Sequence, residues 1–181
     1  MINQLKTKQF ISSKTTISFL LVIALFLFGG IVSSGFLEFK HVMNILGLSS
    51  FLGIIALGQT IVILSGMEGL DLSVGAVASL ASVMAAKIMV SSNENILIAL
   101  LAVLVTGFII GTINGIGVSY FKIPALVMTL AMSSVVAGFA LVYTNGQPTG
   151  GAAPAIVSIG AGRVGPLSIM FIIWIAISVI G

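Results

Sequence analysis

Gly66-Met67-Glu68-Gly69-Leu70-Asp71-Leu72-Ser73-Val74-Gly75 lies between two long apolar runs, and its reading decides the fold. The run holds the only aspartate of the 181 residues and half of the four carboxylates. Gly66, Gly69 and Gly75 flank the acids, and glycine leaves helical geometry at little steric cost. A carboxylate placed among lipid tails costs about 2.5 to 3.5 kcal/mol on insertion scales, so Glu68 and Asp71 are expected to face protein or water. The bland reading is a polar hairpin joining two membrane helices. The sharper reading is a working part of a transport pathway, with Gly66, Glu68, Gly69, Asp71, Ser73 and Gly75 as its candidate residues.

Composition agrees with a membrane setting. Hydrophobic residues make up 59% of the chain and charged residues 6%, against about 25% charged in a soluble domain. Such a chain cannot cover a soluble surface with polar groups. It reads as a multi-pass integral protein of the cell membrane, a single membrane domain over residues 1–181 preceded by a tail over 1–15. The net charge of +3 is no nucleic-acid signature, because Lys6, Lys8 and Lys14 cluster at the N-terminus and the other charges are scattered. That cluster before the first apolar run places the N-terminus, and the tail with it, in the cytoplasm. The same cluster resembles a signal peptide, but the further apolar runs favour a retained first helix.

About 20 apolar residues cross a bilayer core of about 30 Å. By that measure six segments emerge: Thr16 to Ser34, Val42 to Ser65, Leu72 to Val90, Ile96 to Tyr120, Pro124 to Thr144, and Pro166 to Gly181. The runs are continuous and do not alternate, which argues for an all-α helical bundle and against barrel strands. Alternation from a cytoplasmic N-terminus puts Gly66 to Asp71 near the inner side and Asn145 to Gly165 outside as a long loop. Lys122 fits the positive-inside rule, whereas Lys40 and Arg163 fall on the wrong side. The loop, rich in glycine and proline, is either a flexible connector or a docking surface. In the fourth segment Gly107, Gly111 and Gly115 recur every four residues, a face on which another helix is expected to pack closely. The last segment is slightly short and has no polar flank, so the C-terminal part of the protein is expected to be missing.

The inventory excludes most chemistry. No cysteine is present, so thiol catalysis and thiolate metal ligation are ruled out. The single histidine, His41, makes a histidine metal site untenable. Asp71 has no second aspartate with which to share a proton. Ser65 has no nearby base, since His41 precedes the second segment. We therefore expect no catalytic residues, no metal site and no enzyme. No phosphate-binding Gly-x-x-x-x-Gly-Lys-Ser/Thr run occurs, so any energy for uphill transport comes from a partner or an ion gradient. Asp71 precedes a helical run and is placed to cap it, with Ser73 assisting. Asn114, within an apolar segment, reads as an interhelical hydrogen-bonding residue.

Two ordered blocks carry a resemblance. Ala56-Leu-Gly-Gln-Thr-Ile-Val-Ile-Leu-Ser-Gly runs into Gly69-Leu-Asp-Leu-Ser-Val-Gly-Ala-Val, and further on stand Asn114-Gly, Ile123-Pro124, Thr129-Leu130, Gly138 and Tyr143-Thr-Asn-Gly-Gln-Pro148. Over about residues 44 to 150 the chain resembles the membrane subunits of bacterial ABC importers for ribose and related sugars. Related permeases for branched-chain amino acids carry different text in the first block. The resemblance implies the N-terminal part of a longer permease that moves a sugar or sugar-like solute inward by alternating access. It implies a second permease as dimer partner, cytoplasmic ATP-binding subunits and an extracytoplasmic solute-binding protein. No cofactor is expected on this chain, and ATP is expected on the partner subunits. Asp71, Ser73 and Asn114 become polar candidates along the pathway. Met67-Glu68 departs from the usual glycine text and adds a carboxylate. The alternatives are an ion-coupled secondary transporter, where broken helices also occur, and a non-transporting membrane scaffold.

Overall fold

A computed structural model describes residues 14–64, 69–147 and 150–180. All six expected segments are helical: α1 (Lys14–Val32), α2 (Phe39–Leu64), α3 (Val74–Met89), α4 (Ile96–Ser119), α5 (Ala125–Thr144) and, after an additional short helix α6 (Pro154–Ala161), α7 (Ile169–Ile180). The helix α1 begins inside the expected tail, at Lys14, and residues 1–13 of that tail lie outside the described residues. Among the described residues, Phe39–Leu64, Asn93–Ser119 and Ala125–Thr144 are long and apolar enough to cross a membrane. The apolar helices Thr16–Val32, Val74–Met89 and Ile169–Ile180 are shorter. With 16 residues, α3 is only about 24 Å long, because the irregular Gly69–Ser73 stretch takes the place of its first turn.

The chain forms two compact units, residues 1–46 and 47–181, with the boundary inside α2. In the first unit a tight corner joins α1 to α2. Gly35 adopts a φ of +90°, the Phe36 N–H donates to the Ser33 carbonyl at 3.2 Å, and the Phe36 ring packs edge-on against Phe26 at 5.6 Å.

In the second unit α3, α4 and α5 pack on one another. Their contact is built from Leu80, Ile110 and Val136, one from each helix, surrounded by Ala76, Val77, Met84, Met132 and Ala140. The interior is small, and most large apolar side chains point outward: Phe108 is 75% exposed and Leu64 78%. That distribution suits lipid, where apolar residues gain nothing by turning inward and helices associate through close packing of small residues and interhelical hydrogen bonds.

The expected loop between α5 and the last helix is fastened to its neighbours. Asn145, in the left-handed conformation (φ 52°), and Gly146 (φ +73°) end α5, with their N–H groups returned to the Val142 and Leu141 carbonyls. The Gly151 N–H donates to the Ala86 carbonyl and its own carbonyl accepts from Ser91, at 3.1 and 2.9 Å. The Ala155 N–H, at the start of α6, donates to Asn93 Oδ1 at 3.0 Å. Ala153 is fully buried against Met89 and Ala99. Residues 150–155 are therefore an anchored strap, which replaces the flexible-connector reading for this part of the loop. An antiparallel pair of two-residue strands, β1 (Arg163–Val164) and β2 (Leu167–Ser168), follows α6. Lys87, at the end of α3, donates to the Tyr143 carbonyl at 2.8 Å and sits 4.5 Å from the Tyr143 ring centre. It thus ties the C-terminal turns of α3 and α5 together.

Leu80→Ala opens a void at the three-helix contact and is expected to lower stability by about 2 kcal/mol. Phe108→Ala, on the outward face, is expected to change it by less than about 0.5 kcal/mol. Denaturant unfolding of the two variants in the same detergent checks the difference.

Candidate functional site

The irregular stretch after α2 brings backbone polar groups into apolar surroundings, where each unpaired group costs about 1 to 3 kcal/mol. Two side chains meet that demand, Asp71 at the Ser73 N–H and Thr129 at the residues before it. Thr129, on the first turn and a half of α5 and 4% exposed, accepts the Leu72 N–H at 3.0 Å. Its hydroxyl faces two carbonyls, Ala125 at 2.8 Å and Leu70 at 3.2 Å. A threonine in a helix ordinarily returns its hydroxyl to the carbonyl four residues back, as Thr60, Thr112 and Thr144 do here. Thr129 does this and pins the stretch as well.

Gly69 makes the approach to α5 possible. A Cβ built on it would collide with the Cβ of Ala125. None of the described glycines of the motif, Gly69 and Gly75, has a positive φ. Gly69 is thus required for room, at a point where the backbone is non-helical. Gly75 stands in the first turn of α3 with open space where its Cβ would be. Gly66 and Glu68 lie outside the described residues.

Held in this way, Asp71 enters a line of polar groups. Its Oδ1 accepts both the Ser73 N–H at 2.7 Å and the Ser73 hydroxyl at 2.6 Å. The Ser73 oxygen in turn accepts from Asn114 Nδ2 of α4 at 3.0 Å. Ser73 is fully buried and Asn114 is 6% exposed. The Ser73 hydroxyl has a single proton, which goes to the carboxylate, so Asn114 must present its amide nitrogen. Each bond polarises the next, and the carboxylate end makes the line charge-assisted. The carboxylate pairs the N–H of Ser73, just ahead of α3, so it closes a local turn and does not cap the first-turn N–H groups as expected. Ser73 itself makes no side-chain cap: its backbone is already in the helical region (φ −81°, ψ −14°) and its oxygen accepts from Asn114.

The sequence candidates Asp71, Ser73 and Asn114 therefore meet in space, although Asn114 is 41 residues from Ser73. Asp71 and Asn114, though not Ser73, border a cavity of about 180 Å³ that Gly69 and Thr129 line with them, together with Gly111 and Gly115. Two residues of the glycine ladder of α4 lie on this cavity. A Cβ on Gly107, Gly111 or Gly115 would meet no described atom within 4 Å, so among the described residues no close helix contact is made there. Gly111 and Gly115 instead leave the cavity open. Thr129 is the residue the sequence reading passed over: it stood in the second block of the resemblance, but nothing local marks one threonine of an apolar helix as the clamp of a turn 57 residues away. Among the described residues no group of three histidine, cysteine or acidic side chains is placed to hold a metal.

Comparison with known proteins gives a match over residues 41–180 to the family described as branched-chain amino acid transport system / permease component. The ribose import permease of Haemophilus influenzae is 38% identical over 162 residues, covering 87% of this chain and 49% of that protein. The ribose import permease of Escherichia coli is 37% identical over 135 residues, 75% of this chain and 40% of that protein. The autoinducer 2 import system permease of Salmonella typhimurium is 29% identical over 136 residues, 75% of this chain and 38% of that protein. The chain thus spans at most about half the length of these relatives. No solved structure matches it.

Thr129→Val keeps the shape of the side chain but leaves the Leu72 N–H unpaired, a loss of about 1 to 3 kcal/mol. The expected outcome is a lower melting temperature and faster amide exchange at Leu72, with both restored in Thr129→Ser.

Proposed function

Since the chain belongs to the family of branched-chain amino acid transport system permease components, we propose that it forms part of the membrane subunit of an ATP-driven, binding-protein-dependent importer for a sugar or sugar-like solute. The sugar class rests on the ribose import permeases among its relatives. The observation that carries the site is the Asp71–Ser73–Asn114 line, joining a carboxylate to two buried polar side chains beside a cavity. A buried polar line is expensive among apolar helices unless it is used.

In this reading the solute moves between helices past the Gly69–Ser73 stretch. The chain itself forms no covalent bond to it. A permease partner completes the passage, cytoplasmic subunits hydrolyse ATP and an external protein delivers the solute. Each partner drives the conformational change only so far as it binds the inward-open and outward-open states with different affinity. The short α3 and its irregular lead-in form the element that such a change would move. α3 itself is packed on α4 and α5 through Leu80, but its lead-in is joined to them by side-chain hydrogen bonds, Asn114 to Ser73 and Thr129 to the Leu70–Leu72 backbone, which re-form more readily than that packed core.

Uptake of ribose by proteoliposomes containing the complete permease, its ATP-binding subunits and its binding protein tests the proposal. Uptake is expected to require ATP and the binding protein. Uptake driven by a proton or sodium gradient alone would favour a secondary transporter and sink this reading. In the same system Asp71→Asn keeps an acceptor for Ser73 but removes the charge. A charge-assisted bond contributes about 1.5 to 3 kcal/mol, so uptake is expected to fall about tenfold or more with little change in expression. Wild-type uptake in that variant would show that the carboxylate has no part in transport.

A further inference from the structure

The cavity beside Asn114 has unused hydrogen-bonding capacity of one kind. Asn114 is buried, its Nδ2 is committed to Ser73, and its Oδ1 has no hydrogen-bond partner among the described residues. Turning the amide over would not help, because the Ser73 proton is already given to Asp71 and two acceptors would then face each other. An unpaired buried acceptor costs about 1 to 3 kcal/mol, so it calls for a donor. On the same cavity wall Asp71 receives both Ser73 donors at Oδ1, and its Oδ2 has no partner among the described residues. The third polar lining side chain, Thr129, has its hydroxyl fully engaged with the backbone. What the wall has left to offer is therefore acceptors, and the rest of it is aliphatic or glycine.

We propose that this cavity binds a hydroxyl group that donates its proton to Asn114 Oδ1, with the Asp71 carboxylate as the second acceptor. The hydroxyl comes either from an ordered water or from a polyhydroxylated neutral solute. A carboxylate or phosphate is repelled by acceptors of the same kind. A hard divalent cation finds too few oxygens, since it needs about six to eight. The space of about 180 Å³ exceeds the roughly 30 Å³ share of one water in the liquid, so there is room for more than the bridging oxygen. Gly111 and Gly115 keep that room because neither carries a side chain into it. The solute source rests on the proposed function; the water source does not.

The wild-type chain in lipid nanodiscs is the material for the test, with D-ribose as the probe. The deciding measurement is a structure at a resolution that shows waters. An oxygen within about 3.2 Å of Asn114 Oδ1 is the expected result. An empty cavity, or one filled by an acyl chain, overturns the proposal. Thermal unfolding then separates the two sources. Gly111→Leu fills the cavity, and Gly107→Leu, one turn back on the same face and outside the cavity, reports the effect of the substitution alone. Gly111→Leu is expected to melt about 2 to 4 °C below Gly107→Leu, because it evicts the donor from a buried acceptor. Ribose raising the melting temperature of the wild type and not of Gly111→Leu assigns the hydroxyl to the solute. An oxygen seen without any ribose effect assigns it to water. ATP-dependent uptake is read in a separate experiment, so the proposed function and this occupancy can fail independently.

Discussion

An irregular backbone among apolar helices needs its N–H and C=O groups paired from within, because hydrocarbon supplies no water to pair them. Among the described residues the Asp71 carboxylate and the Thr129 hydroxyl meet that constraint, and the arrangement of the candidate site depends on the hydroxyl. Thr129 takes the Leu72 N–H and faces the Leu70 carbonyl, so the residue between them, Asp71, is held with its carboxylate toward Ser73. The line then continues through Ser73 to Asn114 and joins three elements: α5 through Thr129, the lead-in to α3 through Asp71 and Ser73, and α4 through Asn114. Polar groups that would each be costly alone become tolerable as a connected set. The set is nevertheless incomplete, since Asn114 Oδ1 has no partner among the described residues, where Gln59 Oε1 is the other buried side-chain atom left unmatched.

Glycine serves two opposite purposes around this site. At Gly69 the missing side chain lets the chain approach Ala125 more closely than any other residue would permit. At Gly111 and Gly115 it leaves space unfilled. Both uses follow from the absence of a Cβ, and neither needs a positive φ. Elsewhere Gly117 faces the Met128 side chain and Gly53 faces the Trp174 indole, so tight approach is spread over several positions and is not concentrated in the four-residue ladder of α4.

The opposite end of the bundle is organised by backbone bonds. Two consecutive residues without glycine's freedom, Val90 and Ser91, adopt positive φ values of 48° and 61°. A β-branched residue in that region is strained. The strain is held in place by the strap, where Gly151 bonds to both Ala86 and Ser91 and Ala153 is buried beside Met89. The Gly150 φ of +103° explains why the strap is rich in glycine.

By itself, the sequence determined the membrane setting, the six helical segments, the family and the identity of Asp71, Ser73 and Asn114 as the polar residues of interest. These follow from composition, from runs of apolar residues and from local text, all of which are properties of neighbours in the chain. Tertiary structure alone decided that these three side chains form one hydrogen-bonded line, that Thr129 holds the turn, that Gly111 and Gly115 border a cavity, and that residues 150–155 of the glycine-rich loop are a strap. Each of those depends on groups far apart in sequence reaching hydrogen-bond distance or failing to reach van der Waals contact. No local pattern encodes such distances, because they are set by how α3, α4 and α5 pack, and in an apolar bundle that packing is governed by the shapes of small residues, to which hydrophobic periodicity is blind.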